Sequence, residues 1–512
     1  MEMPLIVNQF LDRAERVYGD RVAIVDEADQ PAESWGSLTW REVADRARAQ
    51  AAGLDRLGVG EGERVAVVSH NSARLLTSFF GVSGSGRILV PINFRLAAAE
   101  IDYIVDHCGA SVLLVDPELE DHLGAVSAPH RFTIGAVSDP ILYDFGTEPR
   151  GWSAPDERAT ATINYTSGTT ARPKGVQLTH RNLWLNAATF GWQTGVCDRD
   201  VILHTLPMFH VNGWGMPYAV TGMGGRHVVL RKVDGHEILR RVDEHGVTLL
   251  CGAPAVLQMV LDAAATWDGP IPGQGRTRMV VAGAPPPTRT IERAEAELGW
   301  EFIQIYGLTE TSPVLTMNRA RAEYDELDPT ARAQALGRAG APVLGIDVRV
   351  SADGEVQARG NAVMAGYWEQ PDASAEAIPD GWFHTGDGGA IDEDGYVQIL
   401  DRKKDVIISG GENVSSIEVE DALFSHAAVA EVAVIGIPHE KWGETVHALV
   451  VLAEGQTVTA EALIAHCRER LAHYKCPTGV EFRTELARTA TGKLQKFKLR
   501  EPYWAGRTRQ VN

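Results

Sequence analysis

Lysine is scarce in this chain of 512 residues. It occurs nine times against 39 arginines, and none lies between Val233 and Arg402. An ammonium and a guanidinium are not interchangeable, so a lysine kept in such a sequence is expected where a compact primary amine is needed. Lys174 and Lys493 are the two to which the motifs described below give a chemical role.

Cysteine is also rare. The five cysteines are odd in number and scattered, and none forms a CxxC pair. This spacing predicts neither a disulfide framework nor a zinc site. A reducing, cytoplasmic location fits such cysteine usage best.

Long hydrophobic runs are absent as well. No stretch of eighteen or more apolar residues occurs, so no membrane span is expected. The start, MEMPLIVNQFLDRAERVYGD, carries acidic residues and lacks a basic n-region. It indicates an amphipathic helix and not a signal peptide.

Basic residues are fewer than acidic ones, and the net charge is −20. Nucleic acid and anionic membrane are therefore disfavoured as partners. Near the end, Arg488, Lys493, Lys496, Lys498 and Arg500 follow one another with no acid among them. This basic stretch would suit a small polyanion such as ATP or coenzyme A, with a solvated helix face as the alternative.

The hydrophobic pattern of the first third alternates between strands and helices. RVAVVS at 64–69, ILVPI at 88–92 and SVLLVD at 111–116 are typical of buried strands, and helical patterns separate them. One helix is predicted to begin after Thr39, with Glu42 at capping-box spacing. Such a succession predicts parallel sheets covered by helices on both faces.

Three further strand-and-turn units, VTLLCGAP, TRMVVAGAP and EFIQIYG, have turns expected at the carboxyl ends of strands, where ligand sites gather. After Ala341, two Asp-Gly pairs between short alternating runs predict hairpins in a small β subdomain. A new α/β unit begins near Asp401. We therefore expect an α/β fold: a large N-terminal domain of stacked α/β sheets plus a small β subdomain at residues 1–400, a boundary at 401–405, and a small C-terminal α/β domain at 406–512.

The segment YTSGTTARPKGV at 165–176 is the most informative one. Five of its first six residues are Thr, Ser or Gly, and it follows a predicted strand, ATATIN. Hydroxyls and unobstructed backbone N–H groups can surround phosphate oxygens, and Lys174 adds a point charge. The order Lys-Gly does not fit a Walker A loop, and a polar surface loop is the alternative.

With this segment and seven others, the sequence resembles the adenylate-forming superfamily, which contains acyl-CoA synthetases, adenylation domains and luciferases. The acyl-CoA synthetase branch is the most similar. The other motifs are LPMFHVNGW at 206–214, VVAGAPPP at 280–287, YGLTE at 306–310, GEVQARGNAVMAGYW at 354–368, FHTGD at 383–387, DRKKDVIISGGENVS at 401–415 and TATGKLQK at 489–496. They occur in the family's order and span nearly the whole chain.

The resemblance implies a binding site for ATP. The residues that it assigns to the phosphates are Thr166, Ser167, Gly168, Thr169, Thr170, Lys174 and Thr309. Those that it assigns to adenine and ribose are Gly283, Ala284, Pro285, Gln304, Tyr306, Gly307, Asp387 and Arg402. Glu310 would help to hold Mg²⁺, a hard ion that prefers oxygen ligands.

The resemblance also implies the catalytic residues. Attack of a carboxylate on the α-phosphorus brings two anions together, so a movable ammonium, Lys493, would stabilise the transition state. Thr309 would assist at the α-phosphate. His210 would stand near the acyl carbon, with a core histidine as the alternative.

For the second half-reaction, the resemblance implies that the C-terminal domain is mobile and rotates at the 401–405 hinge, with Lys404 at the pivot. The candidate contacts for coenzyme A are Gly410, Gly411, Trp442 and Lys475. The acyl pocket would be lined by Val211, Trp214, Gly215, Met216, Gly307 and Val314. LPMFHVNGW offers no carboxylate for an α-ammonium, so an apolar or aryl acid is favoured over an amino acid.

Three residues depart from the family's pattern: Ala171, Asp401 and Ala487 stand where glycine, glycine and proline are usual. None of these changes removes a reacting group, but the two half-reactions could differ in efficiency.

The predicted function is an ATP-dependent carboxylic acid–CoA ligase that acts through an acyl adenylate. Its partners would be a small-molecule acid, ATP and coenzyme A; a homodimer is compatible with these features. The alternatives are an enzyme that runs mainly the thioesterification step, a stand-alone adenylating enzyme that loads a carrier protein, a nucleotide sensor without activity, and a luciferase-like oxygenase.

Overall fold

A computed structural model describes residues 3–152, 156–166, 172–402, 405–409, 412–488 and 494–505. In chain order, its strands are β1 (Val22–Val25), β2 (Ser37–Thr39), β3 (Arg64–Val68), β4 (Ile88–Ile92), β5 (Ala110–Val115), β6 (His130–Thr133), β7 (Thr160–Thr166), β8 (Lys174–Thr179), β9 (Val201–His204), β10 (Arg226–Val229), β11 (Leu249–Gly252), β12 (Arg278–Val281), β13 (Glu301–Gly307), β14 (Val314–Arg319), β15 (Ala341–Pro342), β16 (Ile346–Val350), β17 (Glu355–Gly360), β18 (Gly366–Tyr367), β19 (Phe383–Ile391), β20 (Val397–Arg402), β21 (Ile407–Ser409), β22 (Glu412–Val414), β23 (Val429–His439), β24 (Gly443–Leu452) and β25 (Gly479–Phe482).

The α-helices connect and cover these strands. They are α1 (Asn8–Tyr18), α2 (Trp40–Arg56), α3 (Ala73–Gly81), α4 (Ala98–Cys108), α5 (Glu120–Leu123), α6 (Asp139–Leu142), α7 (His180–Thr194), α8 (Met216–Met223), α9 (Gly235–His245), α10 (Pro254–Ala264), α11 (Thr288–Arg293), α12 (Pro329–Leu336), α13 (Pro371–Ala377), α14 (Ser416–Phe424), α15 (Ala460–Arg468) and α16 (Lys496–Trp504). Across the described ranges, no helix has both the length and the apolar composition needed to cross a bilayer.

Two large sheets with parallel centres carry most of the N-terminal region. The first has the strand order β18-β8-β7-β4-β3-β5-β6, and the second has the order β15-β14-β13-β12-β11-β9-β10-β1-β2. The central strands of both run parallel. Antiparallel pairs lie at the β18-β8-β7 end of the first sheet and at both ends of the second, whereas β6 is parallel to β5. Since parallel strands end on the same edge, the loops that follow β3, β9, β12 and β13 collect at carboxyl edges.

Alternating side chains bury both faces of the first sheet. Val65 and Val67 belong to the largest buried cluster, which also contains residues of the second sheet. Ala66 and Val68 belong to a separate cluster on the other face, together with residues of α4. The period of two is that of a strand, and the predicted covering of the sheet on both faces is confirmed.

Two smaller sheets follow. The antiparallel order β16-β17-β19-β20 forms the predicted β subdomain. Its hairpin turns contain Gly354 and Gly395, both at φ +81°, a conformation that glycine adopts at no steric cost. The last sheet, β22-β21-β24-β23 with β25 beside β24, is built entirely from residues after 406. Ile407, Val446, Leu463 and other apolar side chains form its own core.

Candidate functional site

The predicted phosphate loop connects two paired strands. Thr166 ends β7 and pairs in register with Lys174, which begins β8. Ser167, Gly168, Thr169 and Thr170 lie outside the described residues, as does Ala171. The hairpin therefore presents Thr166 and Lys174 at the two ends of this loop.

Tyr367 links the predicted phosphate lysine to the predicted metal carboxylate. The Lys174 Nζ lies 4.8 Å from the centroid of the Tyr367 ring. The Tyr367 hydroxyl donates to Glu310 Oε1 at 2.9 Å. Burial raises the pKa of Tyr367, so the phenol keeps the proton that it donates. Sequence reasoning missed Tyr367, although it stands inside the quoted motif at 354–368.

Strand β13 carries three residues predicted for the nucleotide, Gln304, Tyr306 and Gly307. Gln304 is 4% exposed, and its Nε2 lies 3.4 Å from the oxygen of Ile305, a long contact. Among the described residues, the buried Gln304 Oε1 has no hydrogen-bond partner. Such an acceptor costs about 1–3 kcal/mol, which a donor on a ligand would offset.

Tyr306 and Asp387 form the second part of this nucleotide region. The Tyr306 hydroxyl donates to Asp387 Oδ2 at 2.7 Å, and burial raises the pKa of Tyr306 well above its usual range. Asp387 lies opposite Arg402 in the β19–β20 register, with the Arg402 Nε 3.6 Å from Oδ1. Residues 304, 306, 387 and 402 are thus brought together by one strand and the hairpin beside it.

The predicted adenine loop follows β12, the neighbour of β13. Gly283, Ala284 and Pro285 are exposed there, and Gly283 has φ +98°, which favours glycine. Gly307 at the end of β13 is required for a different reason. A Cβ at that position would lie 1.7 Å from the oxygen of Pro313, so a side chain would separate the two strands at this point.

Thr309 and Glu310 lie in a short 3₁₀ turn, Thr309–Thr311, directly after β13. The backbone oxygen of Glu310 accepts from the Met364 amide at 2.8 Å. This bond and the Tyr367 hydroxyl tie the turn to the segment that carries β18.

The predicted acyl wall has an unusual backbone. Val211, Asn212 and Trp214 have φ values of 46°, 53° and 59°, and Gly213 and Gly215 are also left-handed. Non-glycine residues in this region cost on the order of 1–3 kcal/mol each, so surrounding contacts must hold them. His210 begins this turn, and its amide donates to Pro207 O at 3.0 Å.

The side chains of the predicted acyl wall are buried. Val211 and Trp214 on the turn, Met216 at the start of α8 and Val314 at the start of β14 are all at most 4% exposed and belong to one apolar cluster. The predicted pocket residues are therefore brought together, and the wall that they form is apolar.

The residues predicted for coenzyme A are only partly described. Gly410 and Gly411 lie outside the described residues, as do Lys404, predicted as the hinge, and Lys493, predicted as the catalytic lysine. Trp442 is 41% exposed and stacks on His439 with the ring centroids 4.5 Å apart. The Lys475 Nζ is 2.6 Å from Glu418 Oε2, so it already has a carboxylate partner.

The basic stretch near the C-terminus is not a free cationic patch. Arg488 pairs with Glu431 at 2.6 Å, Lys496 with Glu420 at 2.8 Å, and Arg500 with Asp405 at 2.7 Å. The interpretation as a polyanion site is wrong for these three residues, because acids from other elements neutralise them. The side chains of Lys496 and Arg500 are each 11% exposed.

One contact joins the C-terminal unit to the adenine loop. Asp421 on α14 accepts hydrogen bonds from Thr288 N at 2.9 Å and Thr288 Oγ1 at 3.1 Å. Thr288 begins α11, directly after the 283–287 loop. Sequence reasoning missed this contact, since neither residue stands in a motif.

Comparison with known proteins identifies the family. The family model for the AMP-binding enzyme matches residues 11–368, and the model for the AMP-binding enzyme C-terminal domain matches residues 418–493. The chain therefore belongs to the AMP-binding enzyme family, within the acyl-CoA synthetase branch of the adenylate-forming superfamily.

Individual relatives span almost the full chain. It is 37% identical to 2-methylpropanoate–CoA ligase CCL4 from Humulus lupulus, over 97% of this chain and 95% of that protein. It is 36% identical to 4-hydroxybutyrate–CoA ligase 2 from Metallosphaera sedula, over 96% and 93%. Among solved structures, the anthranilate CoA ligase AuaEII in complex with anthranoyl-AMP has a TM-score of 0.87 and 28% identity, over 98% of both chains.

Proposed function

We propose that this chain is an AMP-forming carboxylic acid–CoA ligase whose substrate is a short aliphatic acid. In the first step a carboxylate oxygen attacks the α-phosphorus of ATP, and pyrophosphate leaves. In the second step the sulfur of coenzyme A attacks the carbonyl carbon of the acyl adenylate, AMP leaves, and the thiol proton is released. The ligase activity rests on family membership across both matched segments and on relatives named as CoA ligases.

The assignment of the nucleotide site rests on one observation above all, the chain Lys174–Tyr367–Glu310. It places the Lys174 ammonium over the ring of Tyr367 and the Glu310 carboxylate at the hydroxyl of the same residue. An ammonium suits phosphate oxygens and a carboxylate suits a divalent ion. The polyphosphate of ATP with its Mg²⁺ requires this pair of charges.

Strands β13 and β19 carry hydrogen-bond acceptors that suit the base and the ribose. The buried Gln304 Oε1 is an acceptor that could receive the exocyclic amine of adenine. Asp387, with Tyr306 and Arg402 beside it, could accept from ribose hydroxyls. The two positions belong to one region, as a single nucleoside requires.

Mg²⁺ fits this site through one protein carboxylate. Within the ranges that the structure describes, no group of three or more His, Cys, Asp or Glu side chains is placed to cage a metal. Mg²⁺ is usually held by one or two carboxylates together with substrate phosphates. Glu310 would hold it, and the ion would neutralise charge on the polyphosphate.

The size class of the proposed acid rests on two relatives, which are named for 2-methylpropanoate and 4-hydroxybutyrate. A cavity of about 40 Å³ borders the acyl wall at Val314 and is lined by residues of α7 and the 343–346 turn.

The test supplies straight-chain acids of two to eight carbons, 2-methylpropanoate, 4-hydroxybutyrate and benzoate, each with ATP, Mg²⁺ and coenzyme A. Products are identified by mass spectrometry. The highest kcat/KM is expected for acids of about four carbons, with AMP and acyl-CoA formed in equal amounts. A preference for benzoate would contradict the aliphatic class, and thioester formation on a carrier protein but not on free coenzyme A would contradict the ligase.

A homodimer and a cytoplasmic location stay predictions. Light scattering on the purified chain tests the first, and fractionation of the producing cell tests the second.

A further inference from the structure

Four buried asparagines hold residues 206–215, the segment that contains the left-handed turn of the acyl wall. They come from four separate elements of the chain. Asn71 follows β3, and its Nδ2 donates to Leu206 O at 3.1 Å while its Oδ1 accepts from Met208 N at 2.7 Å. Asn164 on β7 donates to Asn212 Oδ1 at 3.2 Å.

Asn212 and Asn186 complete this set. The Asn212 Nδ2 donates to Thr162 Oγ1 at 2.9 Å, so a side chain inside the left-handed turn is fixed to β7. The Asn186 Nδ2, on α7, donates to Trp214 O at 3.2 Å. A strained backbone conformation persists only where surrounding contacts hold it, and the side-chain amides of these asparagines supply such contacts.

Asn186 differs from the other three because it also reaches the opposite side of the pocket. Its Oδ1 accepts from the Val314 amide at 3.3 Å, and its side chain is 3% exposed. One carboxamide therefore spans from the turn that carries Trp214 to the first residue of β14.

Gly215 makes room for this bridge. A Cβ on Gly215 would lie 2.5 Å from Asn186 Nδ2, and the residue has φ +80°. Both the space and the backbone conformation require glycine. The chain thus departs from ordinary backbone geometry at the place where Asn186 approaches Trp214.

The small cavity lies directly behind this bridge. Its lining includes Asn186 and Val314 as well as Leu185, Phe190 and Leu344. If the bridge were lost, Val314 and Trp214 would no longer be held at a fixed separation, and the pocket could extend into this space. The bridge therefore separates the acyl pocket from a volume that a longer chain could occupy.

We propose that Asn186 is a positioning residue that fixes the separation of the two walls of the acyl pocket and thereby limits the length of the acid. This inference rests on the proposed function, since it takes the Val211–Trp214 turn and Val314 as the walls that face the acyl group. Asn186 acts through the Trp214 carbonyl and the Val314 amide.

Two variants test this inference, Asn186→Ala and Asn186→Leu. Both remove the bridge, but leucine keeps the heavy-atom count and the Cγ branch of the asparagine side chain, whereas alanine keeps the Cβ alone. The readout is the ratio of kcat/KM for hexanoate to kcat/KM for 2-methylpropanoate, because this ratio does not depend on the fraction of enzyme that is folded. We expect the ratio to rise at least about tenfold in both variants, with KM for ATP within about twofold of wild type.

Asn318→Ala is the matched control. Asn318 is equally buried and lies on β14, but its Nδ2 donates to Ala335 O at 2.7 Å and Leu336 O at 3.0 Å, away from the acyl wall. It should lower the melting temperature and leave the ratio unchanged. An unchanged ratio in both Asn186 variants, a change in the alanine variant alone, or an equal change in Asn318→Ala would overturn the inference.

The inference and the proposed function can fail separately. If the wild-type enzyme preferred acids of six or more carbons, the proposed size class would be wrong. The ratio would still be measurable in that case, and a rise in both Asn186 variants would still support the positioning role.

Discussion

Replacement of Tyr367 by phenylalanine tests the link between Lys174, the proposed phosphate ligand, and Glu310, the proposed metal ligand. The change removes the hydroxyl that donates to Glu310 Oε1 at 2.9 Å but keeps the ring beneath the Lys174 ammonium. A hydrogen bond to a charged group contributes about 1.5–3 kcal/mol. Glu310 is partly exposed and has other contacts, so we take the lower limit, about 1.5 kcal/mol.

That energy predicts a specific kinetic change. Since about 1.4 kcal/mol corresponds to a factor of ten, KM for MgATP should rise about tenfold in Tyr367→Phe. In Tyr367→Leu the contact with the Lys174 ammonium is lost as well, which costs about 0.5–1 kcal/mol. KM for MgATP should therefore be two to five times higher in Tyr367→Leu than in Tyr367→Phe. Initial rates at saturating acid and coenzyme A measure both.

Tyr503→Phe is the matched control for this experiment. The Tyr503 hydroxyl also donates to a carboxylate, Glu481, but in the C-terminal unit. Its removal should leave KM for MgATP unchanged. The reasoning is refuted if both Tyr367 variants keep KM for MgATP within twofold of wild type, or if Tyr503→Phe raises it equally.

Three further perturbations have definite expected outcomes. Lys493→Ala should abolish AMP transfer from ATP while largely sparing thioester formation from a supplied acyl adenylate; equal loss of both activities would contradict its role. Asp421→Asn should weaken the contact with Thr288 by about 1 kcal/mol and change the ratio of the two half-reaction rates about fivefold. Pyrophosphate release measures the first rate and thioester formation the second. An equal change in both rates would argue that this contact does not affect the orientation of the C-terminal unit. Burial lowers the pKa of His204 to about 3 and that of His227 well below 6.5; since the unfolded chain binds these protons first, each histidine should cost about 2 kcal/mol of stability between pH 6.5 and pH 5. Burial also lowers the pKa of His180, to about 4, so three histidines share this effect. His227→Gln should therefore remove about a third of the fall in urea midpoint between pH 7 and pH 5, and an undiminished fall would show that other groups cause it.

The regular elements were predictable because their signals are local. The α2 helix has both hydrogen bonds of its capping box, between Thr39 and Glu42. The Asp-Gly hairpins place Gly354 and Gly395 at positive φ as expected. In each case residues a few positions apart determine the backbone, so one sequence contains the necessary information.

The hydrogen bonds that hold the site together were not predictable, because each joins residues far apart in the chain. Tyr367 and Glu310 are separated by 57 positions, and Asn186 and Val314 by 128. Nothing in the neighbourhood of Asn186 distinguishes it from a surface asparagine. Its two backbone partners, the Trp214 carbonyl and the Val314 amide, reach it from distant parts of the chain on folding.

The prediction of a polyanion site in the basic stretch was wrong for a related reason. Its positive charges are consecutive in the sequence, whereas the acids that pair with Lys496 and Arg500 are Glu420 and Asp405. A count of charge along the chain cannot include partners that folding brings from other elements. Where such partners are present, a cluster of cations reports internal pairing and not ligand binding.

The four asparagines of the acyl wall have one more consequence. A carboxamide neither gains nor loses a proton in the range where enzymes work, whereas a carboxylate or an imidazole in the same place would titrate. The dimensions of the pocket should therefore stay constant from mildly acidic to alkaline solution. The pH of the solution can alter how much of the substrate is ionised, but the enzyme's order of preference among acids of different length should remain the same.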